Sequence, residues 1–511
     1  LDEKDRFDEI AYERGSQPAL VESFEIEGLY GYRTISLSSQ YAATILIAKN
    51  GSGKTTLLGA LDAFLRAQLG RLKDLEFNTI RCKLRGSEEL VLSKEEVVAY
   101  TALPSEPSFR AMAASQDLDP ALLHSYLIED YQENLREQTL PIRNHQVLER
   151  LYIGMNYNRK AIFDYLEKAA SVGVVQSPNI ETIFRTLRTR LDGFEIVYLP
   201  TYRRVELPME QGEVKSRGKK PFRIASSGLF SGDIQFGLSD ISEHLASLNQ
   251  TILFESNQGY REISANIINE LIDGTFERET PATYQIPDKE ELELFFSRLK
   301  EGKRSFNSRD ISVPNIDKIY TGEGIPDASN RFLIYFLSKL NRVIQATRYI
   351  EVRVEDFVTS CNRYLRSPDR STSLPEKGKH SVKKFSDDKE LRLNRRNLSV
   401  HVESLSGKRK IKLDALSSGE KQMISLFAKL VLYPKDKLVL IDEPELSLSL
   451  EWQQQILVDV VRAPLCRQVI AITHSPFVFD NSLEPFARSL KLSINPDALP
   501  AQDDDVEADI Q

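Results

Sequence analysis

The chain has 511 residues, 41% of them hydrophobic and 28% charged, and carries a formal net charge of −8. Such a composition is expected of a soluble globular protein with material for two to four domains, or for one domain with large insertions. It excludes a membrane span, since no run approaches the roughly 18 apolar residues required, and the acidic balance argues against a chain that coats itself in nucleic acid.

Cys82, Cys361 and Cys466 stand far apart, form no metal-type cluster and suit a reducing, cytoplasmic location. The first ten residues, LDEKDRFDEI, are acidic and polar, unlike a secretory signal, an expectation limited by a sequence that begins at Leu1. Between Lys377 and Lys412 lie twelve lysines and arginines, whereas the last residues, AQDDDVEADIQ, are acidic.

In chain order, Phe24 and Ile26, then Ile35 and Leu37, alternate with polar neighbours across a glycine turn and read as a hairpin. The continuously apolar run ATILIA, 43–48, reads as a strand buried on both faces. A helix follows, with Leu57, Leu58, Leu61 and Leu65 along one side. Residues 105–190 are helical and charged in pattern, 194–207 return to strand character, and 240–365 are again mainly helical. Beta signals reappear in LRLNRRNLSVHVES and KRKIKLDAL. A helix, the buried strand KLVLI, the helix SLEWQQQILVDVVRA and the strand QVIAIT close the pattern. That final βαβ order predicts a sheet that is at least partly parallel. The expected fold class is therefore α/β: a mixed sheet flanked by helices, assembled from both ends of the chain, with large helical insertions between.

The stretch AKNGSGKTT, 48–56, lies between a buried strand and a helix, the context a phosphate loop requires. Backbone N–H groups of such a turn point at phosphate oxygens, and the helix N-terminus adds a positive dipole end. Asn50, Gly51, Ser52, Gly53, Lys54, Thr55 and Thr56 are thus candidate nucleotide-binding residues. Lys54 is expected to reach the β- and γ-phosphates of ATP and Thr55 to ligate Mg2+. Ala48 replaces the first glycine of the pattern, tolerable if its φ stays negative. The plainer reading is a glycine turn that only joins strand to helix.

Asp442 and Glu443 end the strand KLVLI. A carboxylate at the carboxyl end of such a strand suits a Mg2+ ligand, Asp442, and the next residue, Glu443, suits a general base. His474 follows the next strand, so it should emerge at the same sheet edge and offer an imidazole to a γ-phosphate. The alternatives are a solvated acidic turn and a structural histidine.

Ser417 and Glu420 satisfy the capping-box pattern ahead of a helix whose stripe is Met423, Ile424, Phe427, Leu430 and Val431. Taken alone, LSSGE is a helix start. The order of phosphate loop, distant LSSGE, acidic strand end and histidine nevertheless resembles the ABC-type ATPase heads over roughly half the chain, the core motifs being the part that matches. Leu416 to Glu420 resembles their signature motif, and 447–449, SLS, their D-loop. The resemblance implies that Ser417, Ser418 and Gly419 cap the ATP of a second subunit, in a homodimer or higher oligomer with ATP sandwiched between heads. It divides the chain into an N-terminal lobe of the head (1–104), a helical insertion (105–190), a return to the head (191–239), a second helical insertion (240–365), a C-terminal lobe (366–485) and an acidic tail (486–511).

EPELSLSLEWQ, ITHSP and VYLPTYRRVE further resemble the overcoming-lysogenization-defect and related AAA-type ATPases of prokaryotic immunity. Size and helical insertions are similar to PtuA, the ATPase subunit of Septu and Septu-bearing retron systems. This resemblance implies a PtuB-like HNH nuclease partner, an association with reverse transcriptase and retron RNA or DNA in some systems, no membrane, and a role against phage. From the length that follows His474 no Toprim nuclease domain is expected, and the sequence shows no Cys-x-x-Cys hook and no HNH-like site beyond the isolated RNHQ. Gln68 and Gln116 are the candidates for a Q-loop. Arg203 and Arg204 are either a solvated strand end or contacts to nucleotide or nucleic acid, and the basic run is either a solvated sheet edge or an RNA, DNA or partner surface. A RecF-like DNA-binding repair ATPase and a nucleotide-gated scaffold are the competing functional readings.

Overall fold

The computed structural model describes residues 3–127, 146–174, 178–200, 229, 238–273, 284–301, 314–321, 326–366, 389–405, 407, 409–411, 415–446 and 448–495. Its strands are β1 (Val21–Leu29), β2 (Arg33–Ser38), β3 (Ala43–Ile47), β4 (Thr79–Leu84), β5 (Glu89–Ser93), β6 (Phe194–Leu199), β7 (Lys389–Asn394), β8 (Ser399–Ser404), β9 (Arg409–Ile411), β10 (Asp436–Asp442), β11 (Cys466–Thr473), β12 (Ala487–Ser489) and β13 (Lys491–Ile494). The chain forms two compact units, Leu1–Gln235 with Pro434–Gln511, and Phe236–Tyr433. The fold is mixed α/β, with a parallel sheet flanked by helices.

The first unit holds two five-stranded sheets. One is antiparallel, in the order β13-β2-β1-β4-β5; the other is parallel, in the order β12-β3-β11-β10-β6. In the first, Phe24 faces Leu37 and Ile26 faces Ile35 across β1 and β2. All four side chains are buried, since residues directly opposite in a sheet share a face. In the second, β10 and β11 are buried along nearly their whole length. Their apolar runs meet that demand, because a parallel sheet is covered on both sides.

Helix α1 (Glu3–Gly15) precedes β1, and helix α2 (Lys54–Leu65) follows β3. Leu57, Leu58, Leu61, Phe64 and Leu65 of α2 share one core with Phe24 and Ile35 on the antiparallel side and with Leu440 and Ile470 on the parallel side. A helix apolar all round is buried all round, and α2 is the filling between two sheets. The helix Leu450–Arg462 buries Ile456, Leu457, Val460 and Val461. Arg14 of α1 donates to the carbonyls of Arg462 and Ala463 at 2.6 and 2.8 Å, satisfying acceptors that a helix end leaves open.

Two buried polar groups tie this unit together. The Gln468 side chain accepts from the N–H groups of Leu20 and Val21, both at 2.8 Å, and donates to Val21 O and Ser39 Oγ. It thereby joins β11 of one sheet to β1 and the end of β2 in the other. Asp62, on α2, bonds Arg66 and Arg71, each at 2.7 Å. Burial alone would raise the Asp62 carboxyl, but the two guanidinium groups outweigh it and hold the carboxyl below its ordinary value.

Helices Pro107–Ala114, Pro120–Tyr126, Gln146–Gly154 and Arg159–Val174 gather around a core of their own that includes Leu123, Tyr126, Leu151 and Ile162. The hairpin β4–β5 has no clear signal in the sequence, because TIRCKL and ELVLS are short alternations broken by charge. Residues 487–494, expected in an acidic tail from 486, instead form β12 on β3 and β13 on β2. Backbone pairing to open strand edges accounts for that order, and it leaves no local hydrophobic signature.

The second unit contains the helices Leu238–Ile272 and Asp327–Leu365 and the antiparallel sheet β7-β8-β9. Its buried ion pair joins Arg298 to Glu351 at 2.7 Å. The basic stretch around β7 is largely matched by acid: Arg392 pairs with Glu390 and Glu403, and Arg395 with Glu351 and Glu355. The helix Ser418–Phe427 continues into a π-helical turn, Ala428–Leu432. Met423, Ile424, Phe427, Leu430 and Val431 are all buried, the stripe expected from their spacing. This helix lies in the second unit, so the division of the chain after Tyr433 cuts through the segment 366–485, expected from sequence to be one lobe.

Among the described residues, no helix is long and apolar enough to cross a membrane. The three cysteines are free; burial raises the thiols of Cys82 and Cys361 and pushes Cys466 up to about 12.

Candidate nucleotide-binding site

Parallel strands end together, so the segments that leave them converge. β3, β11 and β10 lie side by side, and their carboxyl ends deliver the loop 48–53, His474 and the pair Asp442–Glu443 to one sheet edge.

In the loop, Gly51 and Gly53 hold φ of +78° and +89°. A Cβ on Gly51 would meet nothing within 4 Å, so glycine there answers a conformational demand and not a steric one. Ala48 is not among the residues with positive φ, which is the condition its substitution for glycine required. Gly53 caps α2 without a side-chain hydrogen bond, leaving the first N–H groups of the helix without a side-chain cap. The Ser52 hydroxyl is buried with no partner among the described residues. Loop, helix end and hydroxyl fit a bound phosphate.

Lys54 is buried, and its Nζ donates to Glu443 Oε1 at 2.7 Å and to Asn50 Oδ1 at 3.2 Å. Thr55 Oγ1 donates to Asp442 Oδ2 at 2.5 Å, and Asp442 is fully buried. One hydroxyl and one carboxylate fit Mg2+, a hard cation that keeps waters and takes phosphate oxygens for its other ligands. No cluster of three or more acidic, histidine or cysteine side chains suited to a metal occurs among the described residues.

Glu443 has φ of +51°, rare for a residue with a side chain, while its N–H donates to Ile472 O at 2.8 Å. That bond carries the β10–β11 ladder one residue past Asp442. The left-handed backbone costs roughly 1–3 kcal/mol and aims the carboxylate at Lys54.

His474 stands 46% exposed at the end of β11. Its Nδ1 lies 3.0 Å from Glu445 Oε1 and 3.7 Å from Glu443 Oε1, so Glu445 is the nearer carboxylate. Glu445 Oε1 also accepts the His474 main-chain N–H at 3.2 Å. Glu445 has no role in the motif order read from sequence, although its spacing two residues beyond Glu443 is a usable signal.

Two further neighbours escaped sequence reasoning. The Tyr30 hydroxyl meets Thr56 Oγ1 at 3.2 Å, and Arg33 donates to Gly51 O at 3.2 Å while lying 4.6 Å over the Tyr32 ring. The turn EGLYGYR announces a hairpin; only the packing of that hairpin on α2 brings it to the loop.

Other expected residues lie elsewhere. Ser417 caps the helix Ser418–Phe427 in the second unit: its Oγ accepts the Glu420 N–H at 3.3 Å, and Glu420 Oε2 accepts the Ser417 N–H at 2.8 Å. Ser417 and Ser418 are exposed and Gly419 is buried. Gln68 is buried and accepts from Arg71 at 2.8 Å, as part of the Asp62 network. Gln116 sits against Gly154 in the helical cluster. The structure thus places the two Q-loop candidates in different surroundings, Gln68 beside Arg71 and Gln116 beside Gly154. Arg203, Arg204 and Ser447 lie outside the described residues; Ser449 caps the helix Leu450–Arg462, accepting the Trp452 N–H at 3.4 Å.

A comparison with curated proteins finds no match. Among solved structures, the chain is similar to one titled "Crystal structure of the SmcHead bound to the C-winged helix domain of ScpA", at 12% identity, over 94% of this chain and 99% of that one, with a TM-score of 0.32. A family profile described as "AAA domain, putative AbiEii toxin, Type IV TA system" matches residues 214–480, a stretch that begins after the phosphate loop and includes Ser417, Asp442, Glu443 and His474. By that match over more than half of its length, the chain belongs to the AAA-domain family of ATPases.

Proposed function

We propose that the chain binds ATP with Mg2+ at the edge formed by β3, β11 and β10, hydrolyses it slowly, and dimerises around it. The observation that carries this reading is the convergence of Lys54, Thr55, Asp442, Glu443 and His474 at one sheet edge. The glycine loop and the uncapped start of α2 hold the phosphates, and Lys54 exchanges Glu443 for a phosphate oxygen. Thr55 and Asp442 are the side chains that would hold Mg2+, which would supply neutralisation of the phosphate charge. Glu443, released from Lys54, takes a proton from the attacking water. His474 faces the phosphate end as a hydrogen-bond donor.

The LSSGE helix start supplies the second half of the site from another subunit. Ser417 Oγ accepts the capping N–H while its own proton remains to be donated. Small exposed residues at a helix start admit a phosphate closely. The assembly controls a separate, PtuB-like HNH nuclease in antiphage defence, with a reverse transcriptase and retron nucleic acid as associates where a retron is present. A RecF-like duplex-binding reading is disfavoured by the net charge of −8 and by Arg392 and Arg395 of the basic stretch, which are matched by Glu390, Glu403, Glu351 and Glu355.

Purified protein should bind ATP and release phosphate in Mg2+, and Lys54→Ala should lose both. ATP binding undiminished by Lys54→Ala would overturn the site. Co-expression with the adjacent open reading frame should recover a small nuclease; a chain that acts on duplex DNA alone would instead favour the repair reading.

A further inference from the structure

We infer that Glu445 is a positioning residue for His474, fixing which ring nitrogen carries the proton and which way the ring faces. The inference rests on the ATPase reading above and adds a residue to it. Glu445 is 6% exposed, and one of its oxygens, Oε1, meets the same partner twice: it lies 3.0 Å from His474 Nδ1 and accepts the His474 main-chain N–H at 3.2 Å. One oxygen thus bonds the backbone of His474 and lies against its ring, which sets the carboxylate where it can hold the ring's rotation as well as its location. The other oxygen, Oε2, is buried with no partner among the described residues, so the carboxylate is not kept for a wider hydrogen-bond network.

Glu445 is itself anchored. The Glu445 carbonyl accepts from Leu448 N–H at 3.2 Å, in the turn that leads to the helix Leu450–Arg462. From that helix, Gln453 donates to Leu448 O at 3.1 Å and accepts from Ser475 Oγ at 3.0 Å. The residue after His474 is thus pinned to the same turn that carries Glu445. Glu443 cannot serve instead, since its Oε1 lies 3.7 Å from Nδ1 and already receives Lys54 at 2.7 Å.

The chemical consequence concerns the tautomer. A carboxylate at hydrogen-bonding distance from Nδ1 places a proton there, because the alternative sets a lone pair against an anion. Nε2, on the far side of a half-exposed ring, is then the nitrogen presented to an incoming phosphate. Without the carboxylate, the ring is free to rotate and to exchange tautomers.

The test is a double-mutant cycle with a spectroscopic control. Glu445→Gln keeps the shape and an oxygen for the His474 N–H, and removes the charge. It should lower kcat about 10- to 100-fold, a range typical of lost orienting partners, and leave ATP affinity within about twofold. In a His474→Ala background the same change should cost nothing further. Unchanged kcat, or losses that multiply across the cycle, would overturn the inference. Imidazole nitrogen correlations of the His474 ring, assigned by loss of its signal in His474→Ala, should show Nδ1 protonated in the parent protein and a changed pattern in Glu445→Gln. An unchanged pattern would also overturn it. This readout needs no turnover, so a protein that fails to hydrolyse ATP sinks the functional reading while the Glu445–His474 relation is judged separately.

Discussion

Lys54 Nζ lies 2.7 Å from Glu443 Oε1, pairing the proposed phosphate-binding cation with the proposed general base. The two are far apart in sequence and meet because β3 and β10 are parallel neighbours of β11. The pair is well shielded, with side chains 6% and 13% exposed, so each partner neutralises a charge that would otherwise be costly to bury. In the proposed site, nucleotide would compete with Glu443 for Lys54, and that competition would set how tightly ATP is held.

Glu443→Gln removes the competitor and the base together. Hydrolysis should fall by about 10²- to 10⁴-fold, and ATP should bind as well as before or more tightly. Single-turnover phosphate release alongside equilibrium nucleotide binding checks both halves. Equal loss of binding and turnover would count against the assigned role.

Ser417→Ala and Ser418→Arg separate the two roles of LSSGE. The first removes a cap whose hydroxyl accepts the Glu420 N–H and should cost about 1 kcal/mol of stability in the second unit. The second places a long cation at an exposed position and should abolish ATP-dependent dimerisation while sparing ATP binding by the monomer. Sedimentation with and without ATP, using Glu443→Gln to prevent turnover, reads the difference. Lost ATP binding in a folded Ser418→Arg protein would contradict a role across the dimer.

Gln468→Leu tests the link between the sheets. It leaves the buried N–H groups of Leu20 and Val21 without their acceptor, each at a penalty of about 1–3 kcal/mol. Denaturant unfolding should show a midpoint shift equivalent to about 2 kcal/mol or more, and a shift near zero would remove Gln468 from the structural argument.

Asp62 carries a pH signature. Its folded carboxyl sits below the ordinary value of 3.8, so ionisation favours the fold. That contribution is complete above pH 3.8 and is lost as pH falls through the lower folded value. Asp62→Asn should destabilise the protein at neutral pH by leaving Arg71 buried without its carboxylate, at a cost of roughly 3–5 kcal/mol. It should also flatten the acid limb of stability against pH, which denaturant melts from pH 6 down to about pH 3 would measure.

Local pattern was enough for the elements that carry the chemistry. Glycines 51 and 53 announced a turn between strand and helix, and both have positive φ. The apolar runs of β3, β10 and β11 announced buried strands, and the 3.6-residue spacing from Met423 to Val431 announced the buried side of a helix. Those signals are legible because a backbone conformation or a burial pattern is demanded of adjacent residues. Parallel pairing then followed from βαβ order, since consecutive strands joined through a helix run the same way.

Long-range pairing was not legible. β12 and β13 are short and largely exposed, stabilised by the edges of two sheets and not by their own side chains. Gln68, a Q-loop candidate in the sequence, is buried just past α2, where it accepts from Arg71. Glu445, Tyr30 and Arg33 acquire their neighbours only when β11 docks beside β10 and the β1–β2 hairpin packs over α2. The amino-acid sequence by itself determined which strands are buried, where the glycine turn before α2 lies and which acids end β10. Tertiary structure decided which side chains hold one another: Lys54 with Glu443, Thr55 with Asp442, and His474 with Glu445. The physical reason is range. Backbone strain and hydrophobic periodicity act over a few residues, whereas a hydrogen bond or an ion pair exists only where sheet register has brought two distant atoms within about 3 Å.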